Sequence, residues 1–219
     1  MDKFLPLLKT CPLFAGIENN DLQKLLHCLA AIESRVGKNS FIFTADERVI
    51  SVGIVLSGAV HVLQEDFWGN RVILTRIEPG GLFGEAFAFA EVEKLPVSVV
   101  AAEESVVLLM DCKHIAAPCG SACAFHAQLI KNMMRILAGK NILLTQKIRH
   151  ITRRTTREKL LSYLSGQALQ AGGSAFDIPF SRQELADYLS VDRSALSAEL
   201  SKMRNENILR CRRSHFELL

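Results

Sequence analysis

Apolar positions along the chain change their spacing from one stretch to the next. Residues 3 to 33 read as short helices: Pro12-Leu13-Phe14 ends one, Asn19 or Asn20 can cap the next, and Leu22, Leu25, Leu26 and Leu29 fall on one face. From Gly37 to about Leu109 the spacing shortens to β-type runs: Phe41-Ile42-Phe43, Gly53 to Leu56, Val60 to Leu63, Val72 to Thr75, Val97 to Val100 and Val106 to Met110. Turn residues separate them at Gly37-Lys38-Asn39, at Trp68-Gly69-Asn70 and at Pro79-Gly80-Gly81. Many short strands at this spacing predict a small sandwich or roll. A helix then runs from near Ser121 to Ile151, a rod of about 45 Å.

That helix carries a second pattern. Ile130, Met134, Leu137, Asn141, Leu144, Ile148 and Ile151 are spaced by alternating steps of four and three, an apolar seam with one polar break. Two copies of Asn141 can hydrogen-bond to each other only in a parallel, in-register pair, so the seam predicts a homodimer. The plainer alternative is a helix packed on its own domain with Asn141 solvated.

Past the rod, Thr155 and Glu158 have capping-box spacing before Leu160, Leu161, Leu164 and Leu169, and Gly172-Gly173 closes that helix. A strand is expected over Phe176 to Phe180. Ser181 and Glu184 repeat the capping-box spacing ahead of a helix from Arg182 to Leu189. Ser190-Val191 makes a turn, and Asp192 caps a last helix from Arg193 to about Asn205. Two short helices with a three-residue joint are a helix-turn-helix, and the segment Ile208 to Leu218 reads as a hairpin wing around Arg212-Arg213-Ser214. The fold class is α+β: an N-terminal double-stranded β-roll (jelly roll) with flanking helices over 1–118, a dimerisation helix over 119–151, and a winged helix-turn-helix over 152–219.

Charge sharpens the division. The 219 residues carry a net charge of +3, but from residue 147 onward 13 Lys and Arg face 8 Asp and Glu, against 13 and 15 before it. Positive charge gathers where the reading helices are, which suits a polyanion such as DNA. No run of about 18 apolar, charge-free residues occurs and the N-terminal stretch lacks a signal-peptide pattern, so a cytoplasmic protein without membrane contact is expected.

On the last helix Leu196, Leu200 and Met203 must face the domain core. The opposite face then carries Ser194, Ala198, Ser201 and Asn205, flanked by Arg193, Ser197 and Lys202. Small hydroxylated side chains let a helix lie deep in a major groove, an arginine near its N-terminus can fork to guanine, and Lys202 suits phosphate. Arg212 and Arg213 on the wing add sequence-independent attraction.

With Pro12-Leu13-Phe14, Leu56-Ser57-Gly58, Phe83-Gly84-Glu85 and Arg182-Gln183-Glu184-Leu185-Ala186 in this order, the whole chain resembles the Crp-Fnr superfamily of bacterial transcription regulators. The resemblance implies a cyclic-nucleotide-binding-type roll, a dimerisation helix, a DNA-binding winged helix-turn-helix on an inverted-repeat operator, and RNA polymerase as a partner. It assigns Arg182 to a phosphate or base, Glu184 to its support, and Arg193, Ser194 and Ser197 to base reading. At Ala198 many members carry an arginine. It also implies an effector pocket around Phe83, Gly84, Glu85, Phe87, Phe89, Leu95, Pro96, Val97 and Ile142. Where nucleotide binders place an Arg-Ser or Arg-Thr phosphate clamp this chain has Leu95-Pro96, and Ile142-Leu143 replaces the base-contacting Thr-Ser pair. Neither cyclic AMP nor cyclic GMP is therefore expected, and an apolar or aromatic small molecule, or no pocket ligand, is.

Six cysteines without a secretory signal are expected to be reduced. Cys119, Cys123 and His126 fall on one helical face near Cys112 and His114, so zinc, haem or a thiol switch stays open beside the plainer reading of cysteines as small buried hydrophobes. The lone Cys11 does not match an Fnr-type iron-sulfur cluster. An enzyme on a cupin-like roll would need two or three histidines on the strands, where only His61 lies, so no catalytic residues are assigned. A purely structural or adaptor dimer would explain the seam but not the capped helix-turn-helix.

Overall fold

A computed structural model describes residues 2–65, 68, 71–117 and 124–219. The chain divides into two compact units, Met1–Ala138 and Gly139–Leu219.

The first unit opens with helices α1 (Leu5–Thr10) and α2 (Asn19–Cys28), joined by a 3-10 turn over Pro12–Phe14. Leu22, Leu25, Leu26 and Leu29 are all buried, as their spacing requires. The N-cap position falls to Glu18, in extended conformation and without a side-chain cap, and not to Asn19 or Asn20, which lie within the helix. Among the described residues eight strands follow: β1 (Ile32–Val36), β2 (Phe41–Phe43), β3 (Ser51–Ser57), β4 (Val60–Glu65), β5 (Arg71–Ile77), β6 (Leu82–Phe83), β7 (Ser98–Ala101) and β8 (Ser105–Asp111). They form two four-stranded antiparallel sheets, ordered β1-β8-β3-β6 and β2-β7-β4-β5. Short helices α3 (Glu85–Phe89) and α4 (Cys112–Ala116) lie between β6 and β7 and after β8.

Residues 32 and 33 belong to β1, where helix was expected. β1 is an edge strand reading Ile-Glu-Ser-Arg-Val, so only its ladder with β8, and not an apolar alternation, holds it extended. The central strand β3 is buried along its middle five residues. Gly53 on it is demanded by close approach: a Cβ there would sit 2.1 Å from Cζ of Phe83.

Helix α5 spans Ala124–Ile151, and the division into units falls inside it. Its first half is tied to the N-terminal segment through a residue that the spacing argument passed over. Asn132 is buried and its amide donates to the carbonyl oxygens of Leu13 at 3.0 Å and Ala15 at 2.8 Å. Leu129 and Met133 are buried beside it, and Ile130 and Leu137 are half-buried. The remaining seam positions stay open within the chain: Met134 is 66% exposed, Leu144 57% and Ile148 48%, with Asn141 also exposed and Ile151 half-buried.

The second unit continues with α6 (Thr156–Ala171), β9 (Ala175–Asp177), α7 (Arg182–Leu189), α8 (Arg193–Asn205), β10 (Leu209–Arg212) and β11 (His215–Leu218), the three strands forming one sheet ordered β10-β11-β9. Both capping boxes form, at Thr155 with Glu158 and at Ser181 with Glu184, and Gly172 closes α6 in the left-handed conformation. β9 stops at Asp177, short of the expected Phe180, because Pro179 has no N–H to continue a ladder. The core gathers Leu160, Leu164, Leu185, Leu189, Leu196, Leu200, Met203 and Phe216. Near the end of α5, His150 is buried with its Nδ1 2.9 Å from the Ser162 hydroxyl. Burial first, then Arg149 and Arg153, holds its pKa below the usual imidazole value. No helix among the described residues is long and apolar enough to cross a membrane.

Candidate nucleic-acid interface

Local chemistry fixes the two reading helices before any ligand arrives. Ser181 accepts from the Glu184 N–H, and the Glu184 carboxylate accepts from the Ser181 N–H at 2.6 Å. The backbone bond and then the serine hydroxyl hold the Glu184 carboxyl below its usual pKa. Glu184 is thus committed to the cap of α7, and the support expected from it for Arg182 comes from elsewhere. The Arg182 guanidinium lies over the Phe216 ring, 4.8 Å from its centroid, and Phe216 is itself fully buried and stacked on Phe176. This aromatic platform on the wing strand carried no spacing signal in the sequence.

At the start of α8 the Asp192 carboxylate accepts from the N–H groups of Ser194 at 2.8 Å and Ala195 at 3.1 Å, and also from the Ser194 hydroxyl. The Ser194 hydroxyl, then the two backbone groups, keeps the Asp192 carboxyl below its usual pKa. The hydroxyl proton of Ser194 is therefore given to the cap. Leu196, Leu200 and Met203 are buried, leaving Arg193, Ser194, Ser197, Ala198 and Lys202 exposed. Ser201 is half-buried, and its hydroxyl donates to the Ser197 carbonyl at 3.0 Å.

Two clefts lie along this surface. One, of about 520 Å³, is lined by Arg182, Arg193 and Arg213. The other, of about 240 Å³, is lined by Arg182, Arg204 and Arg213 with Ser197 and Ser201. Arg182 and Arg213 border both, and no carboxylate lines either. Three other basic groups of the unit are engaged. Arg157 pairs with Glu199 and Glu206, Arg210 pairs with Glu217 at 3.4 Å, and Lys159 donates to the carbonyl oxygens of Leu189 and Ser190 at the end of α7. Four guanidiniums without a facing carboxylate form a surface for phosphate and base oxygens. Arg204, in the last turn of α8, was missed because the helical face was drawn through Ser201 and Lys202. Arg212 and Lys202 are exposed but border neither cleft.

The positions expected around an effector are differently placed. Phe83 is in the core with Val55, Val60, Val99 and Val107, while Leu95 and Val97 are in the main core of the roll. Gly84 takes a left-handed φ of +79° at the start of α3, where a Cβ would meet the Phe43 ring at 2.8 Å. Glu85 is buried, Phe87 and Phe89 are half-buried against the core, and Pro96 is exposed. Ile142 belongs to the second unit and is 60% exposed.

Cys119 and Cys123 lie outside the described residues. His126 is buried, with its Nε2 2.7 Å from the His114 carbonyl oxygen, which leaves that nitrogen as the donor. Its Nδ1 has no hydrogen-bond partner among the described residues. The Cys11 thiol donates to the Gly80 carbonyl and the Cys112 thiol to the Ala88 carbonyl, and burial pushes both thiols above their usual pKa. These two are small hydrophobes, not reactive thiolates.

Comparison with known proteins agrees with this layout. Residues 33–118 match the cyclic nucleotide-binding domain and residues 158–219 the Crp-like helix-turn-helix domain, between them more than half of the chain. Similar solved structures include CprK complexed with OCPA (13% identity, 90% of this chain and 88% of that one, TM-score 0.66) and a CooA mutant from Carboxydothermus hydrogenoformans (18%, 96% and 90%, 0.59). The catabolite activator protein of Thermus thermophilus is also similar (21%, 95% and 93%, 0.50). No match is found among curated proteins. A roll and a capped, arginine-lined winged helix-turn-helix, matched by both domain models in this order, place the chain in the Crp-Fnr family of DNA-binding transcription regulators.

Proposed function

We propose that the protein is a homodimeric, sequence-specific DNA-binding regulator whose roll answers to an effector other than cyclic AMP or cyclic GMP. The observation that carries the DNA reading is the carboxylate-free surface of Arg182, Arg193, Arg204 and Arg213 around α8. Dimerisation is supported by the open seam at Met134, Leu144 and Ile148, with Asn141 among them. Two-fold symmetry in the protein is mirrored in the operator, so half-sites one helical turn apart, about 34 Å, are expected; that spacing is inherited from helix-turn-helix dimers in general.

Selection from random DNA should enrich an inverted repeat, and Arg193→Ala should relax preference at one position per half-site. Asn141→Ile should raise stability while loosening register or oligomer state. Enrichment of only non-palindromic sites, or a chain that sediments as a monomer at micromolar concentration with and without DNA, defeats this reading.

The effector proposal rests on charge. A cyclic phosphate buried without a fixed cation costs several kcal/mol, a loss of about a thousandfold or more in affinity. Leu95 is buried and apolar, Lys94 is exposed, and the Arg76 guanidinium is held by Glu78 at 2.6 Å and Glu103 at 3.3 Å. Isothermal titration at physiological salt should show no micromolar binding of either nucleotide; such binding, coupled to a change in DNA affinity, overturns the proposal.

One observation favours a second reading, a metal- or redox-sensing regulator using Cys119, Cys123 and His126. Donation from Nε2–H to a backbone carbonyl, with Nδ1 unpartnered among the described residues, is the arrangement of a metal-ligating histidine. Elemental analysis of protein purified from its source decides the metal form: stoichiometric zinc or iron lost in His126→Ala supports it, and metal-free protein rejects it, while thiol counting before and after mild oxidation decides the redox form.

A further inference from the structure

The unit that reads DNA contains a cleft away from its arginine surface. It has a volume of about 550 Å³ and is walled by the second half of α5, by α6, by the segment Pro179-Phe180 and by the end of α7. That volume lies within the roughly 300–1,000 Å³ of small-molecule sites. Three rings line one side of it: Phe180 and Tyr188 with centroids 5.0 Å apart, and Tyr163, 5.4 Å from Tyr188 and 6.1 Å from Phe180.

One cation stands among its polar groups. The only ionised side chain among the lining residues is Lys147, whose ammonium stands 5.4 Å from the Tyr188 ring centroid; the other polar side chains are phenols and glutamine amides. Tyr163 is 3% exposed and lines the cleft. Burial first, then Tyr188, pushes its pKa up to about 12, so the hydroxyl carries its proton at neutral pH. A phenol on the cleft wall, a lysine with no carboxylate among the lining residues and a ring-lined side together fit a planar molecule that bears a negative charge.

We propose that this cleft binds a small aromatic anion of the arylcarboxylate class, its ring on Phe180 and Tyr188 and its carboxylate accepting from Lys147 and the Tyr163 hydroxyl. The site is separate from any effector site in the roll, and the assignment does not depend on the identity of the roll's ligand. Tyr188 stands at the end of α7, the helix that Arg182 opens, so filling the cleft bears on the placement of the arginine surface. Occupancy is therefore expected to change DNA affinity.

The test uses the full chain and 2-naphthoate, with the uncharged 2-naphthalenemethanol as control. Isothermal titration should give saturable binding of one naphthoate per chain at about 1 mM or tighter. Lys147→Gln should weaken naphthoate at least tenfold while leaving the alcohol unchanged, and Tyr163→Phe, which keeps the ring in the core, should weaken it about threefold or more. Saturating naphthoate should shift the dissociation constant for DNA in the parent protein but not in Lys147→Gln. Absence of saturable binding, equal affinity for acid and alcohol, or unchanged affinity in both variants overturns the proposal. So does binding seen only when the protein is diluted to monomers, which would mean that a second copy fills the cleft.

Discussion

Alanine at position 182 is expected to weaken operator binding between about a hundredfold and ten-thousandfold. One charge-assisted hydrogen bond to phosphate is worth about 1.5–3 kcal/mol, and the two-fold dimer proposed above would lose it twice. The slope of log affinity against log salt should become shallower by about 2, since each lost phosphate contact removes about 0.9. Arg182 borders both clefts and its guanidinium is positioned by the Phe216 ring, so little entropy is lost when phosphate binds. Arg213→Ala should behave alike, whereas Arg212→Ala, outside both clefts, should cost much less. Fluorescence anisotropy at three salt concentrations measures both quantities. An unchanged slope in Arg182→Ala would show that the clefts face away from the DNA backbone.

Phe83→Ala is expected to destabilise the first unit by about 3–5 kcal/mol, the range for emptying a core aromatic site. Its packing partner is Gly53, over which the ring lies. Gly53→Ala should be damaging alone, because the added methyl must displace the ring. In the double variant the methyl enters space the ring has left, so the two losses should fall short of their sum by about 1–3 kcal/mol. Urea melts of the four proteins close the cycle. Additive losses would be inconsistent with ring and backbone sharing one space, and would return Phe83 to the role of a pocket wall.

This contrast marks how far the sequence could be read. Both capping boxes, the Asp192 cap, the buried Leu196-Leu200-Met203 stripe and the hairpin wing follow from local spacing, because the groups that satisfy each other are within a few residues. The order of roll, rod and helix-turn-helix was legible for the same reason. β1 was not, since an edge strand needs only hydrogen bonds to β8 and no apolar alternation. Contacts across long separations were equally silent: Phe83 over Gly53, Arg182 over Phe216, Asn132 against Leu13. Arg204 belongs to the arginine surface because it and Arg213 of the wing line one cleft, a proximity that spacing along α8 does not show.

The seam left open on α5 carries a consequence for dose. A lone copy presents Met134, Leu144 and Ile148 to water, and association that covers them makes folded stability rise with protein concentration. If, as proposed, only the pair reads DNA, then below its dissociation constant the amount of active regulator grows with the square of the amount synthesised. Halving expression would cut operator occupancy about fourfold in that range, by mass action alone. Unpaired copies, with their apolar stripe uncovered, would be the first that proteases remove, so the cell's supply of this regulator would be steepest where it is scarce.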